Sequence, residues 1–266
     1  MIEARGLEKV FKIKGKRGSK ERDSSDPRDE GKIFRALRGV SFRCDKGMVL
    51  GLVGPNGAGK TTTLRILSTA LTPTKGSIII DGEDYSLFPN EIRRRIGFLS
   101  GTTGLYPRLT AREMVQYFGR LHGMEGKALN HRMDELFERF GMQEFVNERN
   151  DKLSTGMKQK VNIVRTLIHD PSIFIFDEPT TGLDIMSVTV FLDFLTESKH
   201  QNKTIIFSTH SLHEVETLCD QIVIINRGIS SFAGTSAALK QEMGEKTLER
   251  AFAKQIEQRE SMEGAA

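Results

Sequence analysis

Short apolar and β-branched runs recur along the chain, each bounded by Gly, Pro or Asp: Val49 to Val53, Ile78 to Ile80, Ile96 to Leu99, Ile173 to Phe176, Thr204 to Ser208 and Ile222 to Ile225. Runs of this length and bounding read as strands. VLGLV and IFIF lack a polar alternate face, which predicts strands covered on both sides, as in a largely parallel sheet. Between Asp81 and Asp170 the period changes: after one strand, REMVQYFGRLHG and KALNHRMDELFERFG carry apolar residues three and four apart, the spacing of amphipathic helices. The pattern predicts an α/β core interrupted by a mainly helical subdomain, with a charged helical tail after about Gly234 and no internal repeat.

Composition narrows this picture. With 266 residues, 38% hydrophobic and 28% charged, the chain is long and apolar enough to bury a core. No apolar run reaches the roughly 18 residues of a membrane span. The start, MIEARGLEKVF, lacks the apolar core of a secretory signal, so a cytosolic chain is expected. Cys44 and Cys219 lie far apart and fit no ligand spacing, which predicts reduced core thiols. The net charge of +4 is concentrated: residues 12–32 hold eight Lys/Arg against five Asp/Glu, with Ile13 as their large apolar residue. That concentration speaks against a broad nucleic-acid surface, and no nucleic-acid partner is expected. So polar a segment cannot offset its ordering entropy by burial, which predicts a solvated, mobile loop between two strands. Contact with anionic lipid or a partner is the other reading of that loop.

GPNGAGKTTT, Gly54 to Thr63, follows the strand VLGLV and precedes the helical pattern TTTLRILSTAL. It satisfies G-x-x-x-x-G-K-[ST] with Gly54, Gly59, Lys60 and Thr61. Glycines let the backbone wrap phosphate oxygens, and the amides opening the helix make an anion nest with a favourable dipole. Lys60 would reach the β- and γ-phosphates and the Thr61 hydroxyl would ligate Mg²⁺. A plain glycine turn would need neither the strand before nor the helix after.

SIFIFDEPTTGLD, Ser172 to Asp184, delivers Asp177 and Glu178 to the carboxyl end of a buried strand, where α/β sheets place ligands. Asp177 would hold the Mg²⁺ that bridges the phosphates, and Glu178 would polarise an attacking water. The strand Thr204 to Ser208 ends at His210, a polar group positioned to sense a γ-phosphate, whereas His213 falls on the following helix as a surface residue.

With these motifs in this order the chain resembles the nucleotide-binding subunits of ABC transporters, from its start to about Gly234. GPNGAGKT, including Pro55, Asn56, Gly57, Ala58 and Thr62, matches the family's phosphate loop, IFIFDE its acidic strand, TGLD its D-loop and His210 its switch histidine. LSTGMKQK fits the LSGGQ-type signature, and Phe11 stands where the family stacks an aromatic ring on adenine. The resemblance implies a P-loop NTPase (RecA-like) core with an N-terminal antiparallel β subdomain and an inserted α-helical subdomain. It divides the chain into an ATPase unit over 1–236, with core 1–90 and 166–236 and helices at about 91–165, and a helical tail over 237–266.

One departure stands out. The family offers a glutamine after the strand entering the helical subdomain, but IGFLSGTTGLY places Gly101 there. Ser100, Thr102 or Thr103 would substitute through a hydroxyl, or the loop acts only as a hinge. LSTGMKQKV, this glutamine-less loop and GEKTLERAF together look like the sodium-extruding Nat-type ATPases, with exporters of drugs, lipids or polysaccharides as the alternative. A soluble ABC-type ATPase without a permease, and a P-loop kinase, fit less well, because the chain has one cassette of modest size and carries the signature and D-loop.

The resemblance further implies ATP and Mg²⁺ as ligands, an integral-membrane permease as partner and a peripheral position on the cytoplasmic side of the cell membrane. Two copies, or one copy and a homologous ATPase, would dimerise head to tail across two ATP molecules. Lys60, Glu178 and His210 would carry catalysis on one subunit, while Ser154, Thr155, Gly156 and Asp184 would serve the nucleotide of the other. Taken alone, Ser154 is simply a serine that caps a helix.

Overall fold

The computed structural model describes residues 1–13, 26–86, 89–101 and 104–264. Its strands in chain order are β1 (Ile2–Lys12), β2 (Ile33–Cys44), β3 (Val49–Val53), β4 (Lys75–Ile80), β5 (Glu83–Asp84), β6 (Ile96–Leu99), β7 (Ile173–Asp177), β8 (Thr204–Ser208), β9 (Gln221–Asn226) and β10 (Ile229–Gly234). They form two sheets. The first, ordered β2-β1-β4-β5, is antiparallel throughout. The second, ordered β10-β9-β3-β8-β7-β6, is parallel except where β10 returns against β9.

VLGLV and IFIFD are buried at every position, as their continuous apolar character requires of strands covered on both faces. The runs read as strands are all present, β4 and β9 being longer than predicted. One of them changes place. Ile96–Leu99, read as the strand at the head of the helical segment, pairs in parallel with β7 and is the edge of the main sheet. The helical segment therefore opens beyond it, with α3 (Ala111–Leu121) and α4 (Gly126–Arg139), after α1 (Lys60–Leu67) and α2 (Pro89–Arg95).

Thr110 starts α3 through a reciprocal capping box with Glu113, which satisfies two orphan amides. Ala111, Met114 and Val115 of that helix, with Leu129, Met133, Leu136 and Phe137 of α4, bury into one cluster with the face of the sheet that carries Phe174, Phe176 and Phe207. Each large side chain so removed from water contributes about 1.5–3 kcal/mol. A second cluster fills the space between the two sheets, where Leu64, Ile66 and Leu67 of α1 meet Leu7, Leu37 and Val40. That packing fixes α1, and with it the loop at its start.

The remaining helices are α5 (Thr155–Leu167), α6 (Ile185–His200), α7 (Leu212–Leu218), α8 (Ser236–Met243) and α9 (Leu248–Gly264). The charged tail is anchored. Leu239, Met243, Leu248 and Ala251 are buried with Val53, Val215, Ile222 and Ile224, so the tail has one apolar side that closes the end of the sheet. Among the described residues no helix is long and apolar enough to cross a membrane.

The described end of the basic insertion departs from the solvated loop expected over 12–32. Asp29 bridges Phe34, the Ile13 amide donates to the Lys32 carbonyl at 2.9 Å, and Arg28 is only 7% exposed. The polarity of the segment predicts solvation, but paired charges can be buried when each answers the other. Its remainder, 14–25, lies outside the described residues. Cys44 and Cys219 are free; burial pushes the Cys44 thiol up to about 12, which keeps it protonated as a core thiol.

Candidate functional site

Neighbouring strand ends assemble the site. In the order β3-β8-β7, Ser208 at the end of β8 is opposite Leu52 on one side and Asp177 on the other. The phosphate loop leaves β3 and the acidic pair leaves β7, so one serine stands between them.

The loop from Gly54 to Gly59 is held by backbone approach. A Cβ at Gly54, whose φ is 153°, would lie 2.0 Å from the Ile225 carbonyl oxygen, so no other residue fits there. Lys60 folds back over the loop, its Nζ donating to the carbonyls of Gly54 at 2.6 Å and Pro55 at 3.0 Å. Burial pushes the Lys60 ammonium below its usual value, while the carboxylates of Glu178 and Asp177 favour its charged form. Thr63 Oγ1 donates to the Gly59 carbonyl at 3.0 Å and closes the first turn of α1.

Asp177 is buried at the end of β7, where its Oδ1 accepts from Thr61 Oγ1 at 3.1 Å and from Ser208 Oγ at 2.7 Å. Glu178 turns sharply outward with φ 51°, a left-handed conformation uncommon for glutamate. Its amide is held there by the Ser208 carbonyl at 3.2 Å and the Ser208 hydroxyl at 3.1 Å. The turned carboxylate meets His210, with Nε2 and Oε1 2.5 Å apart. Ser208 thus orients both acids, a part that the sequence did not single out; its one signal was a hydroxyl residue closing an otherwise apolar strand.

A cleft of about 470 Å³ runs from Phe11 to Glu178, lined by Arg28, Phe34 and Ala36 and by Asn56, Gly57, Ala58, Gly59, Lys60, Thr61 and Thr62. Phe11 is 39% exposed and pairs in register with Phe34 on β2, so two aromatic rings stand at one end of the cleft. At the other end lie the amides that open α1. The arrangement offers stacking for a base at one end and an anion nest at the other. Phe34 and Arg28 are additions to the residues read from the sequence; Phe34 belongs to no motif or run read there, and Arg28 was hidden in a charge run.

Ser154, Thr155, Gly156 and Asp184 do not line this cleft. Ser154 accepts from the Met157 amide at 3.2 Å and caps α5, and Asp184 accepts from the amide and hydroxyl of Ser187 and caps α6. The Ser187 hydroxyl bond holds the Asp184 carboxyl below its ordinary value. These two helix starts touch each other: a Cβ at Gly156 would lie 2.9 Å from the Gly182 carbonyl oxygen, and Gln159 Nε2 donates to the Pro179 carbonyl at 2.7 Å. They make an exposed ledge of serine, threonine and glycine with two helix N-termini, away from the cleft of the same chain.

Gly101 is exposed beside the acidic strand, where an added Cβ would meet only the Asp177 carbonyl oxygen, at 3.9 Å. Ser100 is buried, and Thr102 and Thr103 lie outside the described residues. His213 is exposed on α7, as its surface assignment requires.

The chain is similar to known proteins in sequence and in fold. The ABC transporter family model matches residues 37–181. The ABC transporter ATP-binding protein NatA of Bacillus subtilis (strain 168) is 47% identical over 212 residues, 79% of this chain and 86% of that protein. The linearmycin resistance ATP-binding protein LnrL of the same organism is 34% identical over 212 residues, 80% of this chain and 68% of that one. Among solved structures, an ATP-binding subunit of an ABC transporter has a TM-score of 0.80 at 27% identity, covering 96% of this chain and 99% of its own. A dimeric ATP-binding cassette in a post-hydrolysis state bound to ADP and Pi has a TM-score of 0.76 at 25% identity, covering 88% and 98%.

Proposed function

The chain belongs to the ABC transporter family, and from that membership and the geometry of the cleft we propose how its residues divide the work of an exporter's ATP-binding subunit. The subunit binds ATP and hydrolyses it to ADP and phosphate, coupled to transport. In the proposed division, the adenine stacks on Phe11, and the amides from Gly57 to Thr62 with Lys60 hold the phosphates; Gly54, Pro55 and Asn56 shape the loop.

Thr61 and Asp177 present a hydroxyl and a carboxylate 3.1 Å apart, a sparse set of hard oxygens of the kind Mg²⁺ takes from a protein when substrate phosphates complete its shell. These two residues would hold it, and the charge it would supply there would offset that of the phosphates. Glu178, held outward by Ser208, orients and polarises the attacking water. His210 anchors the Glu178 carboxylate and donates toward the γ-phosphate, so catalysis is mainly placed charge.

The ledge of Ser154, Thr155, Gly156 and Asp184 serves the nucleotide of a second subunit in a head-to-tail pair. Its separation from the cleft of its own chain supports this reading, as does the dimeric cassette among the structural relatives. Closing the pair on ATP moves the helices of residues 104–165 against a membrane permease, with the chain peripheral on the cytoplasmic face.

The cargo proposed is Na⁺, moved outward. The 47% identity to NatA over 86% of that protein carries this choice, together with the glutamine-less loop at Gly101. ATP turnover in vesicles holding the subunit and its cognate permease, with and without Na⁺ on the side from which it is extruded, tests it. Stimulation by Na⁺ is the expected result; turnover indifferent to Na⁺ but raised by an amphipathic drug would transfer the chain to drug export, a reading in keeping with the linearmycin resistance named in the relative LnrL.

A further inference from the structure

Arg28 is a cation buried in the wall of the nucleotide cleft, on a segment whose sequence promised only a solvated loop. It is 7% exposed. Asp26 takes its Nε at 2.9 Å and its Nη2 at 2.6 Å, a two-point grip, and the Gly57 carbonyl takes its Nη1 at 2.6 Å. Its guanidinium also lies over the Phe34 ring, 5.0 Å from the centroid. The Arg28 bond holds the Asp26 carboxyl below its ordinary value, so the grip is ionic at neutral pH.

Burying such a pair is poor value as stabilisation, since the desolvation of two ions offsets most of their attraction. Its location suggests another use. The cleft has an aromatic end at Phe11 and Phe34 and a phosphate end at Gly57 to Thr62, and Arg28 touches both, one through Phe34 and the other through Gly57. A nucleotide laid from base to γ-phosphate along that line brings its ribose and α-phosphate past the guanidinium. The fork carries five N–H groups, and the contacts above use one on each nitrogen, leaving a second on Nη1 and on Nη2 for an anion.

We infer that Arg28 is a direct ligand of the nucleotide on its ribose and α-phosphate side, aimed by Asp26 and Phe34, so that the end of the 12–32 insertion is part of the ATP site. The inference rests on the nucleotide reading of the cleft. It adds a cation to the site that the phosphate-loop motif does not contain, and it gives the insertion a place in substrate recognition.

Affinities of the full chain for ATP, ADP and pyrophosphate separate a ligand from a strut. Pyrophosphate fills the phosphate loop without an α-phosphate or ribose. Arg28→Ala should weaken ATP and ADP by about 10- to 100-fold, the worth of a hydrogen bond to a charged group, and leave competition by pyrophosphate unchanged. Asp26→Asn, which keeps the arginine but loosens the grip that aims it, should weaken ATP by less than Arg28→Ala does and leave competition by pyrophosphate unchanged. If Arg28→Ala does not fold, Arg28→Gln, which keeps the length and loses the charge, is read in the same way. ATP affinity unchanged in the arginine variants, or pyrophosphate weakened as much as ATP, overturns the inference. A parent chain that binds pyrophosphate but no ATP would overturn the nucleotide reading itself, and this inference with it.

Discussion

His210 Nε2 stands 2.5 Å from Glu178 Oε1, joining the ends of β8 and β7 at the mouth of the cleft. His210 is roughly half exposed and Glu178 about a third, so the pair adds little to stability, at most about 1 kcal/mol. His210→Ala should therefore leave the melting temperature nearly unmoved. It should lower kcat by about 100-fold, the low end for deleting one donor to a transition state, with a small change in KM. Steady-state turnover beside thermal unfolding checks this; a normal kcat would remove His210 from the reaction.

Glu178→Gln keeps the turn and the contact while removing the charge that polarises water. The variant should bind ATP, accumulate as a dimer in gel filtration and turn over at least ~100-fold more slowly, the low end for losing a positioned acid–base group. A monomer in saturating ATP would contradict the head-to-tail arrangement, and full activity would contradict the role of Glu178.

Ser208 is buried between the two acids, donating to Asp177 Oδ1 at 2.7 Å and accepting from the Glu178 amide at 3.1 Å. Ser208→Ala removes both contacts without opening a large cavity. The expected cost is about 1–3 kcal/mol of stability, because Asp177 is left short of a donor in a buried position. Turnover should fall while ATP affinity holds, since Lys60 and the loop amides are untouched. Ser208→Thr, which restores the hydroxyl, should recover most of the turnover; failure to do so would mean that the hydroxyl does not orient the acids.

Legibility followed the strength of local constraint. Apolar runs that must be covered on both faces, such as IFIF, announced their strands and the position of the acidic pair, and the glycines and lysine of the phosphate loop announced its shape. Weaker signals were passed over: β10, ISSFAG, is mostly half-buried and carries two adjacent serines, and its pairing with β9 depends on a tight turn rather than on hydrophobicity. Residues 237–266 read as charged because their apolar residues are diluted, although Leu239, Met243, Leu248 and Ala251 line one side. Arg28 was invisible for a different reason. A charge run predicts solvent, and only the fold shows that Asp26 neutralises one member and Phe34 shelters it.

Two glycines of the site should respond in opposite ways to alanine. Gly54 has φ 153° and would place a Cβ 2.0 Å from the Ile225 carbonyl oxygen, so Gly54→Ala combines strained backbone with a clash that only a backbone shift relieves. Strain of this kind costs about 1–3 kcal/mol, and a loss of about 2 kcal/mol lowers the melting temperature by about 4–8 °C in a chain of this size. Gly101 lies in the exposed loop with its nearest contact at 3.9 Å, so Gly101→Ala should be neutral within about 0.5 kcal/mol and Gly101→Gln should also fold. Thermal unfolding of the three variants decides; an unstable Gly101→Gln would mean that lack of room, not choice of mechanism, keeps glutamine out.

Stability should also fall on mild acidification through one half-buried histidine. His169 stacks on His122 with centroids 3.6 Å apart, and its Nε2 lies 3.2 Å from the Ile96 carbonyl oxygen. Burial pushes His169 down to about 4, helped by repulsion from His122 and Lys203 and opposed by the Ile96 contact and Asp170. In the unfolded chain the ring takes a proton at its ordinary value, near pH 6.5, while the folded chain does not until about pH 4. Between those values the unfolded state binds more protons, so stability decreases as pH falls, by about 1–2 kcal/mol from pH 7 to pH 5 for a single group. Urea unfolding at pH 7, 6 and 5 measures this directly. His169→Gln retains an N–H for the Ile96 carbonyl but cannot take up the proton, so its stability should be flatter over the same range; a variant with the parent's slope would place the acid-sensitive group elsewhere.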